Sequence, residues 1–218
     1  MGKLFHIDSP AVQKLARIWD LITLNLLWIL CSIPIVTAGA ATAAMYRVIF
    51  RQLEEGETSV VKPFFRAFKE NFRQGTILWL LMAVIGGILC FDGFFLLGQQ
   101  GTITLLAVPL VLLALLLAVG NTYGFAILAR HSTTIKAALR NAYLLMLLEL
   151  IPTLLLVVVN TVPWVCIFFL PNIFLRTAIF WLLLGSALPA YINGKVLLHI
   201  FKKHQAKETD EEMNNDDM

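Results

Sequence analysis

The chain has 218 residues, 59% of them hydrophobic and 14% charged, with a mean hydropathy of +0.79 and a formal charge of +3. A soluble domain carries about a quarter charged residues, so this composition excludes an ordinary soluble enzyme or binding module. It also speaks against nucleic acid as a partner, because the Lys and Arg residues are scattered between long apolar blocks.

Those blocks are 21–46, 76–98, 103–129, 142–170 and 177–201. Each reaches the roughly 20 residues that span hydrocarbon as a helix. In lipid every backbone N–H and C=O must be paired within its own segment, so such blocks are helical. The alternating ten-residue segments of a membrane β-barrel are absent. The expected fold is an all-α polytopic transmembrane helical bundle occupying residues 1–201, with the lipid bilayer as its first partner.

The N-terminal stretch carries Lys3, Lys14 and Arg17 ahead of the first block. Ala38-Gly39-Ala40 resembles a signal-peptidase site. The long preceding region, with Asp8 and Asp20, is unlike the short basic start of a signal peptide, so cleavage is not expected. The first block, 21–46, holds Pro34 at its middle. Proline pushes the preceding residue out of helical geometry, and Pro34, Thr37 and Gly39 bracket a turn in "IPIVTAG". Two readings stay open. A hairpin would run from Pro10 to Ile33 and back from Ala38 to Glu54. The competing reading is one long kinked pass. The hairpin is favoured because Lys and Arg mark the cytoplasmic side. Only an even number of passes puts Lys3, Lys14 and Arg17 on the side of Arg47 and Arg51. The small run from Gly39 to Ala44 would let the second arm pack closely on a neighbour.

Connector 55–75 contains "KPFFRAFKENFRQG". Pro63 suits a first helical turn. Helical spacing predicts Phe64, Phe65, Phe68 and Phe72 on one face and Arg66, Lys69 and Arg73 on the other. This reads as an interfacial helix or as a docking helix for a cytoplasmic partner. Connector 130–141 contains His131 and a helix start at Ser132 or Thr133. With the hairpin, the chain reads as three helical hairpins, 10–54, 76–129 and 138–201, with both ends cytoplasmic.

Within the blocks, ionisable and polar groups are candidates for function. Glu149 lies nine residues past Arg140, about 13 Å into the bilayer on a continuous helix. Asn25, Asn121 and Glu149 form a candidate intramembrane polar site, with Tyr123, Asn160 and Asn193 as further partners for Glu149. Asp92 lies near an outer helix end. Gly120 and Gly124 form a GxxxG that signals close packing within or between chains. Cys31, Cys90 and Cys166 read as small buried hydrophobes. Residues 202–218 hold six acids (Glu208, Asp210, Glu211, Glu212, Asp216, Asp217) and few apolar residues, and read as a disordered acidic tail. No nucleophile elbow, phosphate loop or metal-ligand spacing occurs. Neither a catalytic role nor a cofactor is expected.

"LNLLWILCSIPIVTAGAATAAMYRV" (24–48) and "FFRAFKENFRQGTILWLL" (64–81) resemble the YesL family of bacterial integral membrane proteins. The matching residues are Asn25, Trp28, Pro34, Thr37, Gly39, Phe68, Lys69, Asn71, Phe72 and Trp79. Glu149 is not a hallmark of that family. The resemblance implies a plasma-membrane domain of unknown function, often encoded beside carbohydrate ABC-type importers. The expectation is a non-enzymatic accessory component of sugar uptake, with importer subunits as partners. The alternative is a self-contained small-solute transporter or channel, formed by the bundle or by a homo-oligomer.

Overall fold

The computed structural model describes residues 10–56, 59–97, 103–130 and 133–216. Every regular element among them is helical: α1 (Pro10–Ser32), a 3-10 turn (Ile35–Thr37), α2 (Ala38–Glu54), α3 (Val61–Leu97), α4 (Ile103–Arg130), α5 (Ile135–Leu148), α6 (Leu150–Phe169), α7 (Pro171–Arg176), α8 (Ala178–Leu184) and α9 (Ala187–Asp216). The all-α bundle follows from the composition. Val12–Ser32, Val61–Leu96 and Ala107–Arg130 are long and apolar enough to cross a membrane, and two bent pairs raise the number of candidate spans to five. Burial fits a lipid surround, since many large exposed side chains in the later part of α3 and in α4 are apolar (Val84, Ile88, Phe91, Phe94, Val108, Val111).

The first block is a hairpin. Trp28 Nε1 donates to Thr42 Oγ1 at 3.0 Å, and Gln52 Nε2 donates to Asp20 Oδ2 at 3.4 Å. As numbers fall along α1 they rise along α2, which only antiparallel arms allow. Gly56, at φ +68°, takes the left-handed conformation just past α2 and stops it.

α2 is the centre of the bundle. Its small residues Gly39, Ala40, Ala41, Ala43 and Ala44 are buried, and so are Met45, Tyr46, Val48, Ile49 and Phe50. It packs against α1, α3, α4 and α9. Its 17 residues span about 26 Å, short of a full crossing.

The third expected hairpin is corrected. Block 142–170 is not one helix: α5 and α6 meet at Glu149 with a bend of 112°. The physical cause is Pro152, which has no N–H to donate and whose ring would clash with the carbonyl of Leu148. It is tolerated only as part of a new first turn. Block 177–201 is likewise broken between α8 and α9, by 46°. At the chain's end α9 continues to Asp216, where a disordered tail from 202 is expected. Connector 55–75 is also revised, because α3 runs unbroken from Val61 through the span. Helix α5 begins after Thr134, whose Oγ1 accepts from Ala137 N at 3.3 Å. The expected caps give way to this one: Thr133 lies one residue too early, and Ser132, with His131, lies outside the described residues.

Candidate functional sites: polar clasps at helix breaks and an aromatic basic face

The turn between α1 and α2 is held by its own side chains. Thr37 Oγ1 donates in a shared bond to the carbonyls of Cys31 (2.6 Å) and Pro34 (2.7 Å), and Thr37 N donates to Pro34 O at 2.8 Å. Pro34 ends α1 and Thr37 ties the freed carbonyls. Gly39 then meets α3. A Cβ on Gly39 would lie 2.2 Å from Gly75 O and 2.4 Å from Trp79 Cβ. The small run therefore packs on α3 within the chain.

Asn25 is fully buried and clasps the break between α8 and α9. Its Nδ2 donates to Leu182 O at 2.7 Å, and its Oδ1 accepts from Ser186 N (2.9 Å) and Ala187 N (3.0 Å). A broken helix inside a membrane bundle leaves backbone groups that need such partners.

Glu149 holds the other break. Its Oε1 accepts from Lys203 Nζ and lies 3.2 Å from His204 Nε2, with the Glu149 side chain only 11% exposed. The expected partners Asn25, Asn121, Tyr123, Asn160 and Asn193 do not contact its carboxylate. Its backbone carbonyl accepts from Thr153 Oγ1 at 2.7 Å, and Thr153 shares a hydrogen bond of 2.8 Å with Tyr123 OH. Helix α9 serves as a ruler for the three residues expected to meet. Asn25 touches it at Ala187 and Glu149 at Lys203, about 24 Å apart along the axis. Asn121 is exposed on α4. The structure does not bring Asn25, Asn121 and Glu149 together.

A different polar chain crosses the interior. Thr122 Oγ1 accepts from Asn160 Nδ2 (3.3 Å), Asn160 Oδ1 accepts from Asn193 Nδ2 (3.1 Å), and Asn193 Nδ2 also reaches Tyr46 OH (3.2 Å). It ties α2, α4, α6 and α9. The sequence offers Asn160 and Asn193 only as partners for Glu149, and no local pattern pairs them with each other, with Thr122 or with Tyr46. The GxxxG is used within the chain: Gly120 faces Met82 and the Tyr143 hydroxyl, and Gly124 faces Leu78 and Leu139.

On α3 the aromatic face divides. Phe64 is fully buried and Phe68 half-buried, their rings stacked at 6.4 Å, whereas Phe65 is 40% and Phe72 45% exposed. Arg66, Lys69 and Arg73 are exposed beside Phe65 and Phe72. The single aromatic face expected from spacing is corrected to a buried pair and an exposed pair. Phe64 lies 100° from Phe65 around the helix, on the side covered by the bundle.

Arg47, read as a topology signal, has structural partners, and so has Arg130. Arg47 Nη1 donates to the carbonyls of Ala129 (2.8 Å) and Arg130 (3.1 Å), capping α4. Arg130 Nη2 pairs with Glu54 at 2.9 Å, and its guanidinium lies 5.3 Å from the centre of the Phe201 ring. Among the described residues no group of His, Cys, Asp and Glu has metal-holding geometry.

No curated protein and no solved structure matches the chain. A family match covers the hairpin from Leu21 onward, its turn and its crossing with α3: residues 21–93 match a domain described as "Protein of unknown function, DUF624".

Proposed function

We propose that the protein is a non-enzymatic accessory component of the bacterial plasma membrane, of the YesL type within its DUF624 family, that docks onto an ABC-type carbohydrate importer. The observation that carries this reading is the exposed face of Phe65 and Phe72 with Arg66, Lys69 and Arg73. Large rings beside cations on a helix continuous with a membrane span suit insertion into a partner's groove. The buried Phe64 fixes the rotation of that face. The positive-inside rule supports placing this basic end, with both termini, on the cytoplasmic side, where an importer's ATPase lies. The residues that resemble the YesL family have structural work here: Asn25 clasps a break, Trp28 bonds across the hairpin, Thr37 ties the turn and Gly39 sits at a crossing.

The test is a mild-detergent pull-down of the tagged full chain from its native membrane, read by mass spectrometry. A permease or ATPase is expected in stoichiometric amount from the wild type and absent from Phe65→Ser/Phe72→Ser. Surface changes of this kind alter stability by only about 0.5 kcal/mol each, so yield and insertion stay intact. Phe64→Ser instead costs about 3 kcal/mol or more by emptying a core site. Retention of the partner by the double variant would sink the docking face.

The Thr122–Asn160–Asn193–Tyr46 chain favours a second reading, a small-solute transporter or channel. Its test is liposome flux. Flux through the purified protein that Asn193→Leu abolishes would replace the accessory reading.

A further inference from the structure

We propose that the cleft between α1, the end of α2 and α9 binds the headgroup of a zwitterionic, primary-amine phospholipid, of the phosphatidylethanolamine kind, whose acyl chains lie along α1. The inference is independent of the importer reading.

The cleft has a volume of about 310 Å³, and Arg17, Asp20, Gln52 and Tyr191 provide its polar walls. Arg17 and Asp20 stand three residues apart on one helix, a spacing at which opposite charges can pair. They do not pair. Arg17 Nη1 lies 3.4 Å from Tyr191 OH, and Asp20 Oδ2 accepts from Gln52 Nε2 at 3.4 Å. Among the described residues neither charge has an ion-pair partner. The cleft thus has a cationic wall and an anionic wall. That arrangement complements a ligand carrying a phosphate and an ammonium group, with Arg17 suited to the phosphate and Asp20 to the N–H donors.

The neighbouring face of α1 supplies the second half of an amphiphile's site. Leu15, Ile18, Trp19 and Ile22 line an apolar groove that shares Ala16 with the cleft. Trp19 is 69% exposed there, in keeping with the preference of tryptophan for the membrane interface. A soluble zwitterion would use the cleft and leave this groove bare. A lipid uses both.

An anionic lipid without an amine places no positive group against Asp20. A choline headgroup carries its charge without an N–H to donate. The cleft should therefore rank three lipids of matched chains: phosphatidylethanolamine above phosphatidylglycerol and phosphatidylcholine.

The experiment is native mass spectrometry of the purified full chain in mild detergent with the three lipids at equal concentration. The wild type is expected to retain the ethanolamine lipid preferentially. Asp20→Asn is expected to erase its advantage over phosphatidylglycerol, and Arg17→Gln to lower retention of all three. Equal retention of the three by the wild type overturns the proposal, and this arm needs no variant to fold. An unchanged preference in a monodisperse Asp20→Asn protein also overturns it. Displacement of the lipid by water-soluble phosphoethanolamine at similar concentration would reassign the cleft to a free zwitterion.

Discussion

Gly39 on α2 and Gly75 on α3 touch backbone to backbone. A Cβ on Gly39 would fall 2.2 Å from Gly75 O, and a Cβ on Gly75 would fall 2.9 Å from Ala40 Cα. Neither obstacle is a flexible side-chain tip, so neither can move aside without shifting a helix. Gly39→Val or Gly75→Val is expected to cost about 3 kcal/mol, the upper end of overpacking penalties. Gly87→Val, at an exposed glycine of the same α3 with open space around it, is the matched control. Thermal unfolding in detergent, followed by size-exclusion fluorescence, should show early loss for the first two variants and near wild-type behaviour for the control.

The same crossing sets how deep the hairpin goes. With Gly39 against Gly75 and Trp79, the turn at Ile35 lies near residue 79 of α3. Helix α3 continues to Leu97, about 27 Å farther. We predict from this offset that the hairpin re-enters without crossing. A single cysteine at Ile35, in a background lacking Cys31, Cys90 and Cys166, is expected to resist a membrane-impermeant thiol reagent added from the face opposite the basic end. Rapid labelling from that face would mean a full crossing.

Asn25 satisfies three backbone groups at the α8–α9 break with one side chain. Asn25→Leu strands two N–H groups and a carbonyl in a dry interior, where each unsatisfied group costs about 1–3 kcal/mol. We expect a loss of about 3 kcal/mol or more. Asn25→Asp is expected to lose less, because its carboxylate still accepts from Ser186 and Ala187. Hydrogen exchange at these two amides should rise sharply in Asn25→Leu. Unchanged protection would show that the break does not depend on the clasp.

Glu149, at the start of α6, reaches Lys203 in the far part of α9. Glu149→Gln keeps a hydrogen-bond acceptor but removes the charge that faces Lys203 and His204. A cost of about 1–2 kcal/mol is expected, above that of an exposed pair because the Glu149 side chain is largely buried. Lys203→Met in the wild-type background is expected to be worse than Lys203→Met with Glu149→Gln, since the single change leaves a carboxylate unpaired. A double-mutant cycle on unfolding in detergent measures this. Strict additivity would show that the two side chains do not interact.

The sequence alone determined that the chain is a helical membrane bundle and where its apolar blocks lie; for the first block it favoured a hairpin over one kinked pass, and the contacts between α1 and α2 decided it. The first two are local matters. Lipid leaves an apolar backbone no option but helix, whereas a proline between two arms with basic ends favours a hairpin without excluding a kinked single pass. Only the tertiary structure decided which face of each helix is covered. Spacing put Phe64 and Phe65 on one aromatic face, yet one fills the core and the other is exposed, because the neighbouring helices stand on one side of α3 only. It also decided where Glu149 belongs. A helix drawn through 142–170 buries it beside asparagines, whereas the break forced by Pro152 redirects α6 and hands the carboxylate to Lys203, 54 residues later. Contacts across such distances depend on the angles at which helices bend and cross. Those angles come from the packing of pairs like Gly39 and Gly75, which no local pattern records.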